Sequence, residues 1–279
     1  MATSISNRVT GNRVQGGAAI VELLKEHGVD TVFGIPGVHN LDIYNALHEN
    51  PGLTNILARH EQGAGFMADG YYRATGKPGV ALIVTGPGVT NVATAVGEAF
   101  ADSSNVFVIA TNLERKYIDT LEGNLHEMTD QMAVMKPIVK WHKRVMDAAD
   151  IPASVGEAFA AIETGRPRPV YLEVPIDVMA EAFEMDDISV DTSRPSADIT
   201  AEVVRAAKLI EGAQRIMIFA GGGATSAEAS AALRALAGEL GAPVVTSLMG
   251  KGAIPADHPF AVGAFGYRWS ADNPTVEVM

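Results

Sequence analysis

Cysteine is absent from the 279 residues, and that single absence removes disulfides, thiolate metal sites and a cysteine nucleophile, and fits a reducing cytoplasm. Positive charge is also scarce. Lys and Arg number 21 against 33 Asp and Glu, for a net charge of −12, which disfavours nucleic acid or an anionic membrane as partner but leaves room for a local anion site. Long apolar runs are lacking too: Val80 to Val84 and Val106 to Ala110 fall far short of the roughly 20 residues that cross a bilayer. The seven His are scattered and none stands in an HExxH arrangement, so no metal site is expected within the chain. No GxSxG elbow occurs, which sets a serine hydrolase aside. The first fifteen residues carry Arg8 and Arg13 and no acid; they read as a loosely docked leader, with a transit peptide as the alternative.

What is present points to an α/β protein rich in turns, with 47% hydrophobic residues, 28 Gly and 14 Pro in a chain long enough for about two domains. Val14 to His27 shows a helical apolar face, with Gly28 at the C-terminal cap position. Thr31 to Phe33 reads as a strand running into Gly34-Ile35-Pro36-Gly37, and Leu41 to His48 as a helix capped by Asn40. Leu53 to Ala58 reads as a short buried strand, followed by a helix on which Phe66, Met67, Ala68, Tyr71 and Tyr72 fall at near-helical spacing. The strands Gly79 to Val84 and Val106 to Ala110 are separated by the turn Thr85-Gly86-Pro87-Gly88 and a helix over Val89 to Ala101. Their unbroken hydrophobicity is that of parallel strands covered on both faces. The polar stretch Thr111 to Lys136, carrying His126, Glu127, Asp130 and Gln131, is either a binding loop or a solvated connector. A helix over Ile151 to Thr164 and a strand over Pro169 to Val174 complete the unit.

Strand and helix thus alternate, and right-handed crossovers make a doubly wound, mainly parallel sheet with helices on both faces the economical topology. This first domain spans residues 1–185. Residues 186–199, where acids are strung among Ser, Thr and Pro, read as a linker. A second α/β unit occupies residues 200–279. Its helix, strand, Gly221-Gly222-Gly223-Ala224 loop, helix and strand are too few to close a sheet, so it reads as incomplete.

Ligands of open α/β sheets gather at the carboxyl ends of the strands, where the loops at Gly34, Glu61, Gly86 and Thr111 should converge. Glu61, within Arg59-His60-Glu61-Gln62-Gly63-Ala64-Gly65, stands at a strand-to-helix turn. As a first-turn acid it favours the helix dipole, and alone that account would suffice; the Gly-rich loops expected beside it favour a chemical role. The Gly221 to Ala224 loop could receive a phosphate on its amides. Ser226 stands where a dinucleotide fingerprint has its third Gly, and close packing explains this loop equally well.

The ordered motifs Gly34-Ile35-Pro36-Gly37, Arg59 to Tyr71 and Thr85-Gly86-Pro87-Gly88-Val89-Thr90-Asn91 resemble the thiamine-diphosphate-dependent decarboxylases and carboligases. Acetolactate synthase large subunits and 2-oxo acid decarboxylases such as 5-guanidino-2-oxopentanoate decarboxylase are the look-alikes. The resemblance implies that residues 1–185 bind the aminopyrimidine half of thiamine diphosphate, and that Glu61 is the acid sharing a proton with it. By the same resemblance Gly34, Pro36, Gly37, Gly86, Pro87, Asn91 and Asn112 line the cofactor. Val38 and His39 face the substrate with His126 and Glu127, and His39 is also a candidate proton donor. The resemblance further implies a small 2-oxo acid as substrate. Mg2+ ligands and the diphosphate-binding domain are expected outside this chain, from a partner subunit or a longer polypeptide. A homodimer or tetramer, a cytoplasmic location and FAD or ADP in the central domain are also within what the resemblance implies. The alternative is a non-catalytic assembly or regulatory subunit, or a truncated remnant, keeping the fold without the reaction.

Overall fold

A computed structural model describes residues 13–185 and 198–266. Residues 1–12 of the fifteen-residue leader that the sequence suggests, and residues 186–197 of the expected linker, lie outside the described residues. Contacts group the chain into two compact units, residues 1–195 and 196–279.

The first unit runs β1 (Arg13–Gln15), α1 (Gly16–Glu26), β2 (Thr31–Gly34), α2 (Leu41–Glu49), β3 (Thr54–Leu57), α3 (Glu61–Thr75), β4 (Gly79–Ile83), α4 (Pro87–Asp102), β5 (Val106–Asn112), α5 (Gln131–Met135), β6 (Trp141–Arg144), α6 (Ile151–Glu163), β7 (Val170–Pro175), α7 (Ile176–Ala180) and β8 (Ala182–Glu184). Six strands form one sheet in the order β3-β2-β4-β5-β7-β6, and every neighbouring pair is parallel. This is a doubly wound α/β fold. The period of two along each strand divides the apolar residues between two cores. Val80, Leu82, Phe107, Ile109, Val170 and Leu172 pack with α1, α2 and α6 on one face. Ala81, Ile83, Val106, Val108, Ala110 and Tyr171 pack with α3, α4 and α5 on the other. Because both faces are covered, β4, β5 and β7 are buried along their whole length, which is why they read as unbroken apolar runs.

Three departures from the sequence reading come from how strands pair, two at the edges of this sheet and one in a separate strand pair. The strand expected to be buried at Leu53 to Ala58 is β3, and all four of its residues are exposed, because it lies at the sheet edge with one side unpaired. At the opposite edge β6 is half-buried throughout and carries His142, Lys143 and Arg144, so it has no apolar signature to read. Val14 does not open a helix. It lies in β1, which pairs antiparallel with β8 at the far end of the unit, Arg13 opposite Glu184, and α1 begins only at Gly16.

Helix α3 is bounded as its ends dictate. His60 precedes it with Nδ1 accepting from the Gln62 amide at 3.2 Å, and Gly76 closes it in the left-handed region at φ 74°. Its last turns are tied to the sheet by Asp30, which accepts from Tyr71 Oη at 2.5 Å, Lys77 Nζ at 2.5 Å and Thr31 Oγ1 at 2.9 Å. The Lys77 bond, then those of Tyr71 and Thr31, hold the Asp30 carboxyl down at about 2. A depressed carboxylate contributes stability that is present above its ordinary value of 3.8 and is lost as pH falls through about 2. Asp30→Asn is therefore expected to cost about 1 kcal/mol or less at pH 7, since the group is half exposed. The difference from the parent in urea melts should shrink to nothing as the buffer is taken toward pH 2.

The second unit runs α8 (Thr200–Glu211), β9 (Ile218–Ala220), α9 (Ala227–Leu240), β10 (Val244–Thr246) and β11 (Ala261–Ala264). Its three described strands are parallel in the order β11-β10-β9 around a small core of Ala220, Leu233, Ala237, Val244, Ala253 and Ile254. Ser226 accepts from the Ala229 amide at 3.2 Å and so caps α9. Strand β11 has no counterpart in the sequence reading. No described helix of either unit is long and apolar enough to cross a membrane.

Candidate active site

The strand order creates a crevice. The chain leaves β2 toward the edge strand β3 and leaves β4 in the opposite direction toward β5, so the carboxyl ends of β2 and β4 flank a switch point of the kind at which open sheets take ligands. The turns after these strands meet there: a Cβ on Gly37 would lie 2.8 Å from Val84 Cγ1. Asn40 was expected to cap α2, but its side chain holds the first turn instead. Its Oδ1 accepts from the Gly37 amide at 2.8 Å and its Nδ2 donates to the Ile35 carbonyl at 3.1 Å, leaving α2 without a side-chain cap.

Glu61 is the first residue of α3 and is half-buried. Its Oε2 accepts from Asn91 Nδ2 at 2.9 Å. The two helices approach this closely because Gly65 has no side chain: a Cβ there would stand 2.7 Å from Ala95 Cβ and 2.9 Å from Val92 Cγ2. Oε1 faces the start of α4, where a Cβ on Gly88 would come to 3.6 Å. The carboxylate is thus oriented by one amide and keeps an oxygen on the bare side of a glycine turn.

Behind that turn runs a directed chain of hydrogen bonds. The Gly86 amide donates to Gln131 Oε1 at 3.0 Å, and Gln131 Nε2 donates to the Thr111 carbonyl at 2.7 Å and to Tyr171 Oη at 3.3 Å. Tyr171 donates to Glu173 Oε2 at 2.9 Å. Glu173 is fully buried and also accepts from Asn112 Nδ2 at 2.6 Å and from Arg144 Nε. A carboxylate can only accept, so the Tyr171 proton must point to it. The Gln131 amide must then present nitrogen to Tyr171 and oxygen to Gly86. Burial, with the Glu173 charge beside it, holds the Tyr171 phenol well above its ordinary pKa, so it stays a donor at neutral pH. Sequence reasoning placed the loop at Thr111 on this edge but missed Arg144, Tyr171 and Glu173 as parts of the site. The one legible signal was a tyrosine and a glutamate inside the buried run Val170 to Val174.

On the other side of the Gly86 turn, His39 and His126 face each other edge to face, ring centroids 5.4 Å apart. Burial, then the neighbouring His126, lowers the His39 pKa and keeps it neutral. His126 takes φ 65°, and its carbonyl oxygen lies against Gly86, itself at φ 66°. Any Cβ on Gly86 would fall on that oxygen. Gly86→Ala is expected to cost at least about 2 kcal/mol, from the left-handed backbone plus the displaced loop, measurable as a lower urea midpoint.

The structure therefore brings together Gly34, Gly37, Glu61, Gly86, Asn91, His39 and His126 around one edge. Pro36, Val38 and Pro87 are exposed there. Asn112 and Glu127 are engaged elsewhere. Asn112 donates to Glu173 and accepts from the Leu113 amide at 2.8 Å. Glu127 closes its own loop, accepting from the Gly123 amide at 2.5 Å and the Asn124 amide at 3.0 Å. Its burial opposes ionisation, but these amides prevail and lower its pKa. The connector that holds Glu127 also walls an open pocket of about 570 Å³, through Leu121, Asn124, Met128 and Asp130.

A parallel doubly wound domain whose turns meet at a switch-point edge has the architecture of an α/β domain that takes a ligand at that edge. Residues 14–134 match the family described as thiamine pyrophosphate enzyme, N-terminal TPP binding domain, and residues 203–276 match the thiamine pyrophosphate enzyme central domain. The chain belongs to the thiamine pyrophosphate enzymes. It is 45% identical over 250 residues to the probable 2-ketoarginine decarboxylase of Pseudomonas aeruginosa, across 89% of this chain and 44% of that protein. It is 40% identical over 267 residues to the acetolactate synthase large subunit of Parasynechococcus marenigrum, across 92% of this chain and 43% of that protein. The acetolactate synthase large subunit of Haemophilus influenzae is 35% identical over 269 residues, across 94% and 46%. The chain thus spans less than half the length of these curated relatives.

Proposed function

We propose that this chain serves thiamine-diphosphate-dependent decarboxylation and/or carboligation of a 2-oxo acid, with Glu61 as the acid that activates the cofactor. The observation that carries this reading is the Glu61 carboxylate, oriented by Asn91 at the switch-point edge and bordered by glycine at Gly88. These residues fit an aminopyrimidine: a carboxyl with a free oxygen to share a proton with a ring nitrogen, and bare backbone for a flat ring to lie on. When bound, thiamine diphosphate supplies a thiazolium that accepts the electron pair left as carbon dioxide departs. The chain's residues do the rest. Glu61 holds a proton at its carboxylate, Asn91 fixes the direction of that carboxylate, and the Gly34 to Gly37 and Gly86 turns form the walls. His39, buried and neutral, is placed to give or take a proton on the substrate side.

In this reading the diphosphate and Mg2+ are held by polypeptide outside these 279 residues, whether a continuation or a partner subunit in a dimer or tetramer. The chain alone then turns over no 2-oxo acid. The names of the relatives, 2-ketoarginine decarboxylase and acetolactate synthase, support the substrate class. The absence of cysteine supports the cytoplasm as location. The Gly221 to Ala224 turn of the second unit is the place for an FAD or ADP phosphate. The deciding experiment follows exchange of the cofactor C2 proton with deuterium in the parent and in Glu61→Gln.

A further inference from the structure

The connector between β5 and α5 carries backbone strain that its packing does not explain. Among the described residues four non-glycines take positive φ, and three of them lie here: Asp119 at 67°, Leu121 at 57° and His126 at 65°. Such a backbone persists only where the surroundings enforce it. Apolar burial does not enforce it, since Leu121 and Leu125 are 58% and 59% exposed. The contact that does is Glu127. Its carboxylate accepts from three successive backbone amides, Glu122 at 3.2 Å, Gly123 at 2.5 Å and Asn124 at 3.0 Å, and from Asn124 Nδ2 at 3.4 Å. Successive amides form a concave seat for an anion, and hydrogen bonds to an ionised acceptor are the stronger kind. Here the chain's own acid fills the seat. The Glu127 amide also donates to the Asn124 carbonyl at 3.0 Å, so residues 122–127 are closed into a ring. The acid that follows, Asp130, is turned to the Ala133 amide at 3.1 Å and does not share this task.

His126 lies inside the ring, one residue before the acid, and its carbonyl oxygen is the atom pressed on Gly86: a Cβ there would fall 2.0 Å from it. We propose that Glu127 is a positioning residue, a clasp that holds the strained connector shut and so fixes the Gly86 turn through the His126 carbonyl, on the side opposite to the Gln131 bond that holds the Gly86 amide at 3.0 Å. This differs from facing the substrate, because both Glu127 oxygens are committed to the connector's own donors. Without the clasp the left-handed residues relax toward ordinary backbone, the carbonyl withdraws, and the Gly86 turn opens more often. That the turn borders thiamine diphosphate rests on the proposed function; the clasp itself does not.

The test is amide hydrogen exchange and 15N chemical shifts, read by NMR on the full chain without cofactor. In Glu127→Ala the Gly123 and Asn124 amide signals are expected to move, and exchange at the Gly86 amide to speed up at least tenfold, while the amides of β5 keep the protection they have in the parent. A general loss of stability would loosen β5 as well. Glu127→Gln keeps an oxygen for the seat and should restore much of the Gly86 protection. If Glu127→Ala does not fold, Glu127→Gln is compared directly with the parent, and a smaller rise at Gly86 with β5 unchanged is the expected result. Unchanged exchange at Gly86 after the Gly123 and Asn124 signals have moved would overturn the proposal, and so would equal loosening of β5. The outcomes separate from the function above. Undiminished cofactor exchange in Glu61→Gln ends the cofactor reading and leaves the clasp standing; an indifferent Gly86 ends the clasp and leaves Glu61 untouched.

Discussion

Glu61→Gln is expected to slow exchange of the thiamine diphosphate C2 proton by about 10²- to 10⁴-fold, the range that a positioned acid or base contributes, when the chain is assayed with Mg2+ and saturating cofactor together with the polypeptide that holds the diphosphate. The substitution is nearly isosteric. Gln can still accept from Asn91 Nδ2, now 2.9 Å from Glu61 Oε2, so the side chain keeps its direction. What it loses is the ability to hold a transferable proton. The cost to folding is that of one first-turn acid at a helix N-terminus, about 0.3–1 kcal/mol. A thermal melt run beside the exchange measurement therefore separates chemistry from stability. Undiminished exchange in a folded Gln variant would remove Glu61 from the reaction. Exchange lost together with the fold would instead be answered by Asn91→Ala, which leaves the carboxylate in place but unoriented and should give an intermediate loss.

Glu173→Ala is expected to produce the largest loss of stability, about 3–5 kcal/mol, because it removes one side of a buried ion pair and leaves the rest behind. Arg144, the Tyr171 hydroxyl and the Asn112 amide all donate to this one carboxylate. Tyr171 and Asn112 are buried and cannot reach water easily in its place, while Arg144 is partly exposed and keeps Asp130 at 3.8 Å. Glu173→Gln keeps the volume and one acceptor but must aim an NH2 at donors, so it should cost less, about 1–3 kcal/mol. As a control, Glu181→Ala breaks an exposed ion pair with Arg115 and should cost at most about 1 kcal/mol. Urea melts of the three variants give the order. Equal losses for Glu173→Ala and Glu181→Ala would show that the buried cluster is not a support of the domain. The Ala variant should also loosen the Gly86 amide, since the direction of the Gln131 bond descends from Glu173 through Tyr171. Faster hydrogen exchange at Gly86 in Tyr171→Phe, which keeps Glu173 and its ion pair, isolates that effect.

Much of the fold was legible because its causes are local. The runs over β4, β5 and β7 announce strands buried on both faces, and the Gly-rich turns at Gly34 to Gly37 and Thr85 to Gly88 mark where those strands end. Glu61 could be placed at a strand-to-helix turn from the run Leu53 to Ala58 ahead of it and the spacing of Phe66, Met67, Ala68, Tyr71 and Tyr72 after it. The edges of the sheet were not legible in the same way. Strand β3 looked buried because its composition is that of a strand, while exposure depends on having a neighbour. Strand β6 was missed because a half-covered edge places no demand for an apolar run. Strands β1 and β8 are three residues each and lie at opposite ends of the unit, so no local pattern could join them.

The sequence by itself determined the alternation of elements, the parallel class of sheet, the position of Glu61 on its turn and the motif set of a thiamine pyrophosphate enzyme, because these follow from hydrophobic period, turn chemistry and residue type along neighbouring positions. Only the tertiary structure decided which polar groups meet: Asn91 with Glu61, Gln131 with Gly86, Glu173 with Arg144 and Tyr171, and His39 with His126. Apart from Tyr171 and Glu173, which stand two residues apart on β7, each of these contacts joins segments that are distant in sequence. Their partners are chosen by strand order and helix approach, and a hydrogen bond depends on ångström distances that no pattern along the chain encodes.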